Sequence, residues 1–287
     1  MDKISNNIFL SDGKMADDRK TNNLLWFGNC LEEMKRIPNK SIDLICCDLP
    51  YGTTSCKWDK VIDFDLLWIQ YDRIIKDNGT IVLFGQEPFS SILRTSNLKL
   101  YKYDIKWHKD KCSNFIHAKT QPRKTIEDII VFSKAGTTHN SKIKYTYNPQ
   151  KTKRKARSEM PKTQKSDNQK QIRNDNTTLF YGDGFEKDKN YPESYLYIPT
   201  DHFNRVHPTQ KPLELIKYII KTYSNKRETV LDNTCGSDTT GIASFELGRN
   251  SISIENDLSI YNLAKKRREE KNIITVDMHE PLINAQT

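Results

Sequence analysis

A doubly wound α/β sheet is the fold this sequence predicts, and two observations carry it. Short apolar runs that read as buried strands alternate with helical patterns. Two of those strands end in loops of acids and small residues: Ile42–Cys47 leads into Asp48-Leu49-Pro50-Tyr51, and Thr229–Asp232 leads into Asn233 to Gly241. Ligands of open α/β sheets bind outside the carboxyl ends of the strands. Both loops are therefore candidate sites, although a plain strand-to-turn exit capped by aspartate would spell Asp48 the same way.

Residues 1–21 are polar and read as a flexible arm. Leu24–Phe27 is a short apolar strand closed by Gly28-Asn29-Cys30, and Leu31–Ile37 has helical spacing until Pro38 breaks it. The Asp48 strand comes next, giving strand, helix, strand, as in a parallel βαβ unit. The polar loop at 52–60 holds Trp58, which either touches substrate or packs beneath the loop. Phe64–Lys76 predicts a helix stopped at Asn78-Gly79, and Thr80–Phe84 a buried strand. A helix over Pro88–Ser96 and strands over Tyr101–Trp107 and Glu127–Phe132 follow.

From Gly136 the composition shifts. Between Lys142 and Arg173 lysines and arginines recur, opposed only by Glu159 and Asp167, with too few apolar residues for a core. Such a stretch is a solvated linker or an arm that orders on a phosphate backbone. Tyr145, Tyr147, Phe180 and Tyr181 flank it and are placed to stack or to pack. Structure resumes with the strand Tyr195–Ile198. His207-Pro208-Thr209-Gln210-Lys211-Pro212 then precedes an amphipathic helix over Leu213–Tyr223, with Pro212 in its first turn. The strand Thr229–Asp232, a helix to Leu247 and the strand Ser251–Glu255 form a second βαβ unit, whose last strand ends in an acid. A basic helix, Leu258–Lys271, comes last, and 273–287 reads as a loose tail.

The bulk properties narrow the class of protein. A chain of 287 residues with 36% hydrophobic and 29% charged residues carries one large domain, or one domain with an insertion. A net charge of +9 and a pI near 9.1 point to a polyanionic partner. No apolar run is long enough for a transmembrane helix, and the N-terminus lacks the apolar core of a signal peptide. Six cysteines show neither a CxxC pair nor metal-ligand spacing, so no metal is expected, and a reducing, cytoplasmic setting is the economical reading.

The loop chemistry is more specific. Small residues after Asp232 let backbone amides approach a ligand, and Glu255 one βα unit later has the place of a ribose-binding acid. Here a family resemblance enters. Asp48 to Tyr51 resembles the DPPY motif of amino-group DNA methyltransferases, with Leu49 for the first proline. Asp232 to Gly241 is similar to their cofactor loop, DPFCGSGTTG, and His207 to Pro212 matches the short motif that precedes it. The order, catalytic then cofactor, is that of the β group of DNA adenine-N6 and cytosine-N4 methyltransferases.

That resemblance implies a Rossmann-like methyltransferase sheet, with a catalytic half at 22–135, a basic target-recognition insertion at 136–205 and a cofactor half at 206–272. It implies S-adenosylmethionine as cofactor and double-stranded DNA as partner. A homodimer and a cognate restriction endonuclease are further partners of such enzymes. Asp232, Thr234, Cys235, Gly236 and Ser237 would then form the methionine side of the pocket, and Glu255 would hold the ribose. Asn29 and Cys30 would meet the adenine, and Thr209 and Lys211 the cofactor carboxylate, unless Lys211 is a solvated helix-start lysine. Asp48 and the carbonyl of Leu49 would accept from the amino group of a flipped-out base, Tyr51 would stack on it, and Pro50 would stiffen the loop. Aspartate at the first position points to adenine. Asp238 stands where the family has glycine, and its carboxylate would either repel the cofactor or face its ammonium group.

Overall fold

The computed structural model describes residues 21–52, 59–114, 117–138, 140–153, 189–201, 210–274 and 276–277. The chain divides into two compact units, Met1–Asn148 with Tyr195–Thr287, and Pro149–Ser194. Among the described residues no helix is long and apolar enough to cross a membrane. The arm to residue 20, Trp58, Phe180, Tyr181, Thr209 and most of the basic stretch lie outside the described residues.

In the first unit the chain runs β1 (Asn23–Phe27), α1 (Cys30–Glu33), a 3₁₀ turn, β2 (Ile42–Cys47), α2 (Phe64–Ile74), β3 (Ile75–Gly85), α3 (Phe89–Ser96), β4 (Tyr101–Ser113) and β5 (Lys124–Ser133). In the second unit β6 (Thr152–Lys153) pairs antiparallel with β7 (Lys189–Asn190), and Lys151 Nζ lies 4.6 Å from the Tyr191 ring centroid. The first unit continues with β8 (Tyr195–Tyr197), α4 (Leu213–Tyr223), β9 (Thr229–Asp232), α5 (Thr239–Glu246), β10 (Asn250–Glu255), α6 (Leu258–Glu270) and β11 (Val276–Asp277).

Its sheet has nine strands in the order β11-β1-β10-β9-β2-β3-β5-β4-β8. From β11 to β3 every neighbouring pair is parallel, whereas β5 runs antiparallel to both β3 and β4. The chain leaves β9 for β10 on one side and β2 for β3 on the other. The crevice between β9 and β2 is thus the topological switch point, where open sheets bind ligands.

β2 is buried on both faces, as a central parallel strand must be. Ile45 and Cys47 pack under α2 and α3, while Leu44 and Cys46 pack under α4 and α5. Asp43, buried in the same strand, is satisfied by Lys76 Nζ at 2.6 Å and by the Thr229 amide at 2.9 Å. That ion pair explains one departure from the sequence reading. The expected helix through Lys76 stops at Ile74, because Ile75 already pairs with Ile42 and Lys76 turns to Asp43. Gly79 lies inside β3, where a Cβ would meet Ile75 side-chain atoms at 2.7 Å.

Leu31–Ile37 is likewise less regular than its spacing suggests. One α turn capped by Asn29 passes into a 3₁₀ turn at Met34–Arg36. The tail contributes an edge strand, β11, paired with Leu24 and Leu25. Flanks of the expected 136–205 insertion belong to the first unit. The Tyr145 and Tyr223 hydroxyls lie 3.2 and 3.1 Å from that of Tyr103, and β8 extends the main sheet beside β4.

Candidate active site

The two loops named by the sequence meet at the switch point. Leu44 and Ile45 of β2 pair with Val230 and Leu231 of β9, which sets Asp48 and Asp232 side by side at the carboxyl edge. Thr234 Oγ1 donates to the Asp48 carbonyl at 3.1 Å and ties one loop to the other. Around this junction opens a cavity of about 650 Å³, within the range of small-molecule and cofactor sites. Among the described residues no group of His, Cys, Asp and Glu is arranged to hold a metal.

On the catalytic side both Asp48 oxygens have donors. Tyr51 Oη donates to Oδ1 at 2.7 Å and Lys211 Nζ to Oδ2 at 2.5 Å. The Tyr51 ring stacks on Phe89 with centroids 4.7 Å apart, and burial, helped by Asp48, pushes its phenol well above the usual range. Leu49 is buried in the core beside α2, so its side chain serves packing, and Pro50 lines the cavity. Lys211 lines the cavity with its side chain only 11% exposed, so it is not a solvated helix-start lysine. Its ammonium sits between Asp48 and Glu127, the latter at 3.4 Å, because a buried cation goes where counter-charges converge. Burial lowers its pKa, but Asp48 and Glu127 outweigh that and hold it above the ordinary lysine value.

The cofactor side is built on backbone geometry. Gly236 has φ +54°, and nothing lies within 4 Å of where a Cβ would project, so the loop leaves open space there. Its amide donates to Glu255 Oε2 at 2.9 Å, while Glu255 Oε1 accepts from the amides of Asn256 and Asp257. Burial raises the Glu255 pKa, and these amides oppose the rise. Asp232 is buried, its carboxyl pushed by desolvation up to about 7 against hydrogen bonds from Thr240 and the Thr234 amide. Thr234, Cys235 and Ser237 line the cavity, as do Asn29 and Cys30. Asn29 Oδ1 caps α1 by accepting from the Leu31 amide at 2.9 Å.

Asp238 requires a correction. Its carboxylate turns into the protein and does not line the cavity. Both it and Arg268 are fully buried as an ion pair, and Ser253 Oγ donates to Asp238 Oδ1 at 2.6 Å. The backbone at Asp238 has φ 61°, the left-handed conformation that glycine adopts freely and aspartate tolerates. Gly241 makes the room: a Cβ there would run into the Asp238 carboxylate and stand 2.6 Å from Arg268 Nη2.

Site residues that sequence reasoning missed are Lys109, Glu127 and Asn233. Lys109 Nζ donates to Glu127 Oε1 at 2.6 Å, and both line the cavity from β4 and β5. Their place at the carboxyl edge beside β3 was the only signal available. Asn233 Oδ1 accepts from Tyr71 Oη at 2.6 Å and Cys47 Sγ at 3.2 Å beneath the cofactor loop.

The strand order, and the meeting of the Asp48 and Asp232–Gly241 loops across the β9–β2 seam, are those of an S-adenosylmethionine-dependent methyltransferase sheet. The family model described as DNA methylase matches residues 42–266, and the chain belongs to that family. It is 28% identical over 288 residues to the type II methyltransferase M2.MboI of Moraxella bovis, covering 89% of this chain and 90% of that one. It is 29% identical over 281 residues to M.HinfI of Haemophilus influenzae, covering 86% and 68%. Among solved structures, the M1.HpyAVI–SAM complex superposes with a TM-score of 0.56 at 25% identity, over 85% of this chain and 98% of that one. The cytosine-N4-specific PvuII DNA methyltransferase, 16% identical with a TM-score of 0.57 over 91% and 96%, has the same fold.

Proposed function

We propose that this chain transfers a methyl group from S-adenosylmethionine to the N6 amino group of an adenine flipped out of duplex DNA. One observation carries the reading: the Asp48 carboxylate lies in the same cavity as the Asp232–Ser237 loop, and the Thr234 hydroxyl ties that loop to the Asp48 backbone carbonyl. Adenine rather than cytosine is favoured by the aspartate at position 48. A DNA adenine methyltransferase of Escherichia coli (strain K12), YhdJ, 28% identical over 253 residues, is among the relatives.

The exocyclic amino group of a base is a poor nucleophile because its lone pair is delocalised into the ring. Asp48 accepts a hydrogen bond from that group, the Leu49 carbonyl accepts another, and the nitrogen lone pair is freed to point at the donor. Tyr51 presents its ring to the base while its hydroxyl orients Asp48. When bound, S-adenosylmethionine supplies an electrophilic methyl group on a sulfonium. Of the residues lining the cavity, Gly236 would let the backbone approach it, Glu255 would receive the ribose, and Asn29 and Cys30 would meet the adenine. Catalysis is then positioning and electrostatics, with no covalent enzyme intermediate. Burial raises the Cys46, Cys47 and Cys235 thiols well above their ordinary pKa, which suits cysteines that pack rather than attack.

The test is methyl transfer from labelled S-adenosylmethionine to duplex DNA, followed by identification of the modified base. N6-methyladenine made by the wild type and lost by at least about 100-fold in Asp48→Ala is the expected result. N4-methylcytosine in its place would overturn the choice of base, and unlabelled DNA of every sequence would overturn the activity.

A further inference from the structure

We propose that Glu127 is a positioning residue that gives Lys211 a second resting place, so that the lysine leaves Asp48 when the target base arrives. The inference rests on the methyl-transfer reading above. Asp48 must accept from the amino group, yet one of its oxygens is held by the Lys211 ammonium at 2.5 Å and the other by Tyr51. A buried cation in that position competes directly with the substrate's N–H donors. It can withdraw only if another negative group within reach receives it.

Glu127 has the geometry for this. Its Oε1 is fixed by Lys109 at 2.6 Å. Its Oε2 is buried and makes no hydrogen bond among the described residues, with the Lys211 ammonium 3.4 Å away. That contact is a long ion pair rather than a close hydrogen bond, so a short shift of the ammonium toward Oε2 would tighten it as Asp48 is released. The path is short and lined by aromatic faces, with Lys211 Nζ 5.0 Å from the Phe84 ring centroid and 5.8 Å from that of Tyr51. Lysine suits the task because its ammonium is a point charge on a flexible stem. Lys109 is itself buried, lies 5.7 Å from the Trp107 ring centroid and holds Glu127 in an ion pair on the side away from Asp48. Charges alternate along the row Lys109, Glu127, Lys211, Asp48, so a shift of Lys211 leaves every charge with a partner once the base has entered.

Single-turnover methylation of a duplex oligonucleotide, with cofactor affinity measured by calorimetry, tests this. Glu127→Gln keeps the shape but not the charge. It is expected to slow methyl transfer about tenfold with unchanged cofactor affinity, and Glu127→Asp to recover part of the rate. The double variant Glu127→Gln/Lys211→Met is expected to be no slower than Lys211→Met alone, since no lysine is left to hold Asp48. Wild-type rates in Glu127→Gln overturn the proposal while leaving the methyltransferase reading intact. Losses in the double variant that multiply those of the singles also overturn it, because Glu127 would then act independently of Lys211. A loss of cofactor affinity in both Glu127 variants marks a structural role and overturns it too. Absence of transfer by the wild type would remove both readings together.

Discussion

Asp238 and Arg268 invite the sharpest stability experiment. Replacing Asp238 by glycine restores the residue usual in this loop, and a reading from loop spelling alone expects it to improve cofactor binding. The structure expects damage instead. Arg268 is fully buried, and among the described residues its guanidinium has, beside Asp238, only the carbonyls of Asn23 and Leu24, at 3.2 and 3.3 Å, and Ser253 Oγ at 3.0 Å. Removing one partner of a buried ion pair costs about 3–5 kcal/mol. Relief of the left-handed backbone at position 238 returns roughly 1 kcal/mol. The net loss is about 3 kcal/mol, which an m-value of ~3 kcal/mol/M in urea turns into a midpoint shift of about 1 M. Arg268→Met leaves a buried carboxylate behind and is expected to cost at least as much. The double variant Asp238→Gly/Arg268→Met is expected to lie nearer the wild type than either single change. Urea unfolding followed by circular dichroism measures all four proteins. An Asp238→Gly midpoint within 0.2 M of the wild type, on the order of experimental scatter, would refute the buried-pair account.

Other expectations rest on single contacts. Desolvation raises the Asp232 carboxyl from the ordinary range to about 7, so the native state holds its proton where the unfolded chain has lost it. This group therefore favours the fold most below about pH 4, and its contribution falls as pH rises to about 7, by up to roughly 4 kcal/mol. Asp232→Asn should flatten that part of the stability–pH curve in urea titrations; an unchanged slope would count against it. Leu49→Ala opens a hole in the core beside α2 and is expected to cost about 3 kcal/mol in the same assay, more than a merely stiffening loop residue would. Tyr51→Phe keeps the stack on Phe89 but loses the bond to Asp48. It should slow methyl transfer by roughly tenfold with DNA affinity retained, as read by rate and by gel shift.

How much of this was legible in the sequence depended on the range of the interaction. The strands carry their own apolar signature, and β1, β2, β9 and β10 stand within a residue of where alternation and turn residues set them. The site loops were legible for the same reason, since each follows the end of such a strand. Orientation was not. Asp238 turns inward because of Arg268, on a helix that the sequence marked only as basic. The start of β3 was hidden because Lys76 answers Asp43 across the sheet, overriding a helical pattern. Lys211 lies in a short motif that spells cofactor binding, yet its contacts come from β2 and β5, far away along the chain. Glu127 and Lys109 have no motif, and only the pairing of β4 with β5 at the rim of the cavity identifies them.

The seam between β2 and β9 has a consequence for the birth of the protein as well as for its chemistry. β2 is apolar and flanked by β3 on one side, but its other neighbour begins only at Thr229, roughly 180 residues after Cys47. At a synthesis rate of about 5–20 residues per second, that edge waits on the order of 10–40 s for its partner to leave the ribosome. During this interval a half-finished sheet presents an unpaired hydrophobic border of the kind that recruits strands from other chains. Chaperone demand during expression should therefore peak before β9 emerges, and ribosome-bound chains truncated ahead of residue 229 should be the most prone to aggregate.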